Sequence, residues 1–147
     1  MDNRRDLPGY KYYTDIRGVR PEVFVAFLDI RPADQAGAAV NGLCLPVDDA
    51  RLAVLDARER NYRRIEVSDR VDVDGGPAVR VWTYLGSDPG RERLRQGVAA
   101  GTAVIDAHYL EGVLDGFAGL GAAERRACAA SLEPGGLPVV PLRRHEL

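Results

Sequence analysis

Histidine, cysteine and lysine are nearly missing from these 147 residues: two histidines, His108 and His145, two cysteines, Cys44 and Cys128, and the single lysine Lys11. Neither cysteine has a Cys or His at metal-ligand spacing, which removes the support for a zinc site, and neither has a local histidine to activate a thiol nucleophile. Both are expected as small buried apolar side chains, with no disulfide between them. No apolar run approaches the ~18 to 20 residues of a membrane span, and no signal-peptide pattern stands at the N-terminus. No membrane partner is therefore expected, and the cytoplasm is the expected compartment. Charge of one sign is missing too: 20 basic against 22 acidic side chains leave a net charge of -2, so no strong field favours nucleic acid or an anionic surface. What is present is a chain of single-domain length, able to bury one core without staples, with no internal repeat, low-complexity tract or linker. A protein acting on a small molecule is the default.

Taken in order, Met1 to Arg20 is polar and turn-rich, with Pro8-Gly9 and Gly18 as breakers and Tyr10, Tyr12 and Tyr13 between them. It reads either as an ordered loop across the domain or as an aromatic lip over a pocket. The run from Glu22 to Ile30 reads as a strand buried on both faces. Pro32 to Ala38 is a loop by composition, and Val40 to Pro46 reads as a second short strand. A helix is expected from Asp49, where the acidic pair Asp48 and Asp49 suits the positive end of the helix and Leu52, Val54 and Leu55 form its apolar face. The spacing then changes: Ile65, Val67, Val71 and Val73 alternate with polar residues, predicting a half-buried strand over Arg63 to Val73. Asp74-Gly75-Gly76 is a hairpin signal into a strand over Ala78 to Gly86, with Trp82 and Tyr84 on one face. Asp88-Pro89 resembles a helix start leading into Arg91 to Ala99. A longer helix is predicted from about Thr102, on the recurrence of Ile105, Tyr109, Val113 and Phe117, and a third from Ala122 to Leu132. Leu137 to Leu142 runs extended.

Glu59 sits where the first helix ends and the strand at Arg63 begins. A carboxylate held between two rigid elements and partly desolvated can serve as a general base. The competing reading is one solvated charge among Arg58, Arg60, Arg63 and Arg64. Antiparallel pairing of the two strands would set Trp82 or Tyr84 close to Glu59; the plainer reading of both is core packing. The four arginines also admit a nucleic-acid reading, against which the balanced charge argues.

The string Leu55-Asp56-x-x-Glu59-x-x-Tyr62-x-Arg64, followed by a strand, resembles the catalytic segment of the gamma-glutamylcyclotransferase family. Val40-Asn41-Gly42-Leu43 through Pro46-Val47, Val81-Trp82-Thr83-Tyr84-Leu85-Gly86 and Gly136-Leu137-Pro138 extend the resemblance, which runs from about Leu7 to Leu142. It implies an α+β fold, with a small, mostly antiparallel, barrel-like sheet flanked by helices in one domain over 1–147. It implies Glu59 as general acid/base and Tyr62, Tyr84 and Tyr109 as substrate-binding residues. The reaction implied is cyclisation of a γ-glutamyl amine or peptide to 5-oxoproline plus free amine, for which neither cofactor nor metal is expected. The implied partner is the small-molecule substrate alone, with no nucleic acid and no membrane; oligomeric state is left open.

The family's Tyr-Gly-Ser-Leu loop has no counterpart in these residues, since Gly9-Tyr10 reverses the order. The expectation is a domain incomplete at its N-terminus, weak or inactive as the 147-residue chain. A non-catalytic small-molecule-binding or interaction module on the same scaffold is accordingly the alternative function.

Overall fold

The computed structural model describes residues 1–5, 11–34, 37–72 and 80–146. They divide into two compact units, one of Met1–Phe27, Ala39–Asn41 and Glu92–Leu147, the other of Leu28–Ala38 and Gly42–Arg91. The fold is mixed α/β, and no sheet among the described residues closes into a barrel.

The first unit is built on a parallel sheet in which β5 (Ala103–Asp106) lies between β2 (Phe24–Ala26) and β6 (Val139–Val140). Parallel strands buried on both faces need apolar side chains throughout, and Val25, Phe24, Ala103 and Val104 are all buried. The other edge of β2 is taken by the chain's first residues: the Val25 N–H donates to the Met1 carbonyl at 2.8 Å and the Asn3 N–H to that of Val23 at 2.9 Å. A separate antiparallel ribbon pairs β1 (Lys11–Thr14) with β7 (Arg143–Glu146), and the Tyr12 ring stacks on His145 at 4.9 Å. Tyr13, Val25, Val104 and Leu142 form the core of this unit.

Two helices follow β5. Asp106, itself buried, caps α3 (Ala107–Leu120) by accepting from the His108 N–H at 3.3 Å, and also accepts from that of Leu142 at 3.1 Å. Gly121, at φ +147°, breaks the chain between α3 and α4 (Ala122–Ser131) with a conformation that side chains disfavour. α2 (Asp88–Ala99) begins at the expected Asp88-Pro89. Its Gly97 is buried against Phe24: a Cβ there would lie 2.7 Å from the Phe24 Cβ. Gly97→Ala gains about 1 kcal/mol in helix propensity, whereas overpacking a fixed neighbour costs about 1–3 kcal/mol. Because the Phe24 Cβ cannot swing away, the clash wins, and a thermal melt is expected to show a lowered Tm.

The second unit holds α1 (Asp49–Arg58), β3 (Tyr62–Glu66), a 3₁₀ turn at Ser68–Arg70, and β4 (Trp82–Gly86), with β3 and β4 antiparallel.

Several expectations are corrected. The strand over Glu22 to Ile30 shrinks to three residues, since Leu28 is already exposed. No strand forms over 40–46, where Val40, Leu43 and Leu45 are more than half exposed, and Cys44 is exposed while Cys128 is buried. The strand after Glu59 ends at Glu66 and gives way to the 3₁₀ turn. Thr102 opens onto a strand, and the long helix begins only at Ala107. The tyrosine-rich N-terminal segment contributes a paired strand, β1. Antiparallel pairing holds in the two ribbons, but the three-stranded sheet is parallel. Tyr10 and the Asp74-Gly75-Gly76 turn lie outside the described residues.

Candidate functional site

The site grows from the two ends of α1. At its start the Asp48 carboxylate accepts from the Arg51 N–H at 2.7 Å, satisfying one of the helix's free donors. At its end Glu59 leaves helical geometry (φ -84°, ψ 53°) while its N–H still donates to the Leu55 carbonyl at 2.9 Å. The Glu59 carbonyl in turn accepts from the Tyr62 N–H at 2.9 Å, so the chain reverses and enters β3. Glu59 thus stands at the helix–strand junction that the change of period marks. Its side chain is 24% exposed, and Oε1 is bonded by Arg58 through Nε at 2.8 Å and Nη2 at 2.7 Å. The apolar face of α1 is thinner than expected, because Val54 is exposed.

The register of β3 with β4 decides which side chains share a face. Tyr62 opposes Gly86, Arg64 opposes Tyr84 and Glu66 opposes Trp82, so Tyr62, Arg64, Glu66, Trp82 and Tyr84 lie on one side of the ribbon. Tyr84 donates its hydroxyl to Asp56 Oδ1 at 2.7 Å, and Arg64 Nη2 lies 3.5 Å from Asp56 Oδ2. Asp56 is one helical turn before Glu59, and the Glu59 charge reaches the Tyr84 phenol. Trp82 is not core packing: its half-buried ring carries the guanidinium groups of Arg64 and Arg80 at 4.8 and 4.6 Å. Arg80 also bonds Glu66 at 3.0 Å, and together with Ser68 it holds that carboxyl below the usual range. Tyr62 is tied by its hydroxyl to the Leu28 carbonyl at 2.5 Å.

Of the four residues singled out, Glu59, Tyr62 and Tyr84 fall in the second unit, whereas Tyr109 belongs to the first, where its ring meets Phe27 edge-on at 5.1 Å. The sequence names Asp56 and Arg64 as motif positions, and Arg64 in the nucleic-acid reading, but gives neither a role beside Glu59. The available signal was spacing: Asp56 and Glu59 are three apart on a helix, and Arg64 and Tyr84 fall opposite once the strands pair. Among the described residues no group of three or more His, Cys, Asp or Glu is placed to hold a metal ion, and no helix is long and apolar enough to cross a membrane.

Tyr84 carries a measurable consequence. Desolvation first, then the Asp56 hydrogen bond and charge, push its phenol up to about 12 from an ordinary 10.0, with Glu59 adding and Arg64 opposing. Below pH ~10 folded and unfolded chains both keep this proton. Between pH ~10 and ~12 the unfolded chain releases it while the folded chain holds it, so stability falls as pH rises through that window. Tyr84→Phe is expected to flatten this fall, checked by urea unfolding at stepped pH.

A family model described as gamma-glutamyl cyclotransferase, AIG2-like, matches residues 2–102. No curated protein and no solved structure matches the chain. The matched span contains Glu59, Tyr62 and Tyr84; Tyr109 and Gly136-Leu137-Pro138 lie beyond it, so the match is shorter at its C-terminal end than the resemblance drawn from the sequence.

Proposed function

The chain belongs to the gamma-glutamyl cyclotransferase, AIG2-like family, and from that premise we propose that it cyclises a γ-glutamyl amine or peptide to 5-oxoproline and a free amine, with Glu59 carrying the proton. The observation that carries this reading is the fixed position of Glu59 at the α1–β3 junction, with Tyr84 within reach of its charge. In the proposed reaction the substrate's α-ammonium gives a proton to the Glu59 carboxylate, and the freed amine attacks the γ-carbonyl carbon. The bond to the leaving nitrogen then breaks as Glu59 returns the proton to that nitrogen, and the ring nitrogen passes its own extra proton to the freed amine, giving a neutral lactam and an ammonium. No enzyme nucleophile is needed, because the substrate supplies its own on a tether that removes much of the entropic barrier. Arg58 must swing off Oε1 before that oxygen can take a proton. Tyr62 and Tyr84 are the proposed substrate contacts of the unit that holds Glu59, and Tyr109, which belongs to the other unit, is proposed as substrate-binding on the resemblance alone. A barrel-like closure of the sheet and a cytoplasmic location belong to the same reading.

The bonding of Oε1 by Arg58 favours a second reading, a binding module in which Glu59 is structural. The two separate in one assay: 5-oxoproline release from a panel of γ-glutamyl amines and peptides, run beside thermal melts with the same compounds. Turnover supports the enzyme. A ligand-dependent rise in Tm without 5-oxoproline supports the module.

A further inference from the structure

We propose that Asp56 is the positioning residue of this site, holding Tyr84 and Arg64 of the β3–β4 ribbon against the last turn of α1 so that Glu59 keeps its place. The kinetic part of this inference rests on Glu59 moving the proton; the tether itself does not.

Helix α1 contains no buried residue, so burial alone does not fix its rotation against the ribbon. A polar tether has to do so. Asp56 provides it with both carboxylate oxygens: Oδ1 takes the Tyr84 hydroxyl at 2.7 Å and Oδ2 faces Arg64 Nη2 at 3.5 Å. The two partners come from opposite strands at one register position, so a single carboxylate fastens the helix to both strands. Glu59 is then pinned from two directions, by the Tyr62 N–H on its carbonyl and by the tether one turn earlier. A carboxylate suits this task better than an amide, which would offer a single acceptor oxygen and turn an NH2 group toward Arg64. Arg64 is in turn held over the Trp82 ring. The raised Tyr84 ionisation, to which Asp56 contributes both a hydrogen bond and charge, is the spectroscopic mark of the contact.

Because the Asp56 side chain is 42% exposed, Asp56→Asn and Asp56→Ala are expected to fold. The phenol of Tyr84 is followed by ultraviolet pH titration, as the difference between each chain and its Tyr84→Phe counterpart. Removing Asp56 is expected to move that titration to lower pH, desolvation keeping part of the rise. In 5-oxoproline release, Asp56→Ala is expected to lower kcat about 10-fold or more with KM within about 2-fold, since a displaced base slows chemistry more than binding. Tyr84→Phe should cost less in the Asp56→Ala background than alone, as coupled residues do. An unmoved titration overturns the tether whether or not the chain turns over. Loss through KM alone, or strictly additive losses, overturns the positioning role, since Asp56 would then hold substrate directly. A wild-type chain that releases no 5-oxoproline while the titration moves ends the proposed reaction and upholds the tether.

Discussion

Glu59→Gln is expected to lower the rate of 5-oxoproline release by ~10²-fold or more, with the fold intact. Glutamine keeps the shape and length of the side chain, and the helix-ending bonds of residue 59 are made by its backbone N–H and carbonyl, so the junction survives. What disappears is a group that can accept the ammonium proton and return it to the leaving nitrogen, a role that contributes typically 10²- to 10⁴-fold. The competing explanation, loss of the Arg58 ion pair, is too small. Arg58 is largely exposed, and exposed pairs contribute about 0–1 kcal/mol, whereas a 10²-fold loss corresponds to about 2.7 kcal/mol. Initial rates and melting curves of both chains measure this directly. A variant retaining more than about a third of wild-type turnover, at an unchanged Tm, would move the proton elsewhere and leave Glu59 a structural cap.

The candidate site was more legible than the scaffold. The acidic pair Asp48 and Asp49 at the start of a helix, Glu59 at a change of period, and the face shared by Trp82 and Tyr84 all follow from rules that act within a few residues, and each recurs in the structure. The parallel sheet was not legible. Phe24–Ala26 falls inside the strand expected over Glu22 to Ile30, but Ala103–Asp106 is too short to show a period, and the pairing of the two joins positions almost 80 residues apart. Ile105 lies four residues before Tyr109, so helical spacing runs straight through Ala103–Asp106 into the helix that follows. Composition misled in the opposite direction at Val40, Leu43 and Leu45, which are apolar without being buried. For Tyr109 the structure supplies an aromatic contact with Phe27, which a helical apolar position would have on packing grounds alone.

The N-terminal residues supply the second large effect. Asn3 reads as an ordinary polar residue in a polar segment, yet it is fully buried. Its side-chain amide acts as a neighbouring strand: Oδ1 accepts from the Tyr13 N–H at 2.8 Å, and Nδ2 donates to the carbonyls of Tyr13 and Pro21, both at 2.9 Å. Tyr13 is itself a core residue, 2% exposed, so the backbone that Asn3 serves has little access to water. Asn3→Ala removes three hydrogen bonds and strands their partners, at about 1–3 kcal/mol for each buried group left unpaired. The loss is expected to be about 3 kcal/mol or more, because part of the cost is recovered if β1 relaxes. At about 2–4 °C per kcal/mol for a chain of this size, Tm should drop by roughly 6–12 °C. Asn3→Asp keeps the acceptor for the Tyr13 N–H but turns a second oxygen toward two carbonyls, so it should rescue little. A drop of less than about 2 °C in either variant would mean that water reaches this backbone and that the buried amide is dispensable.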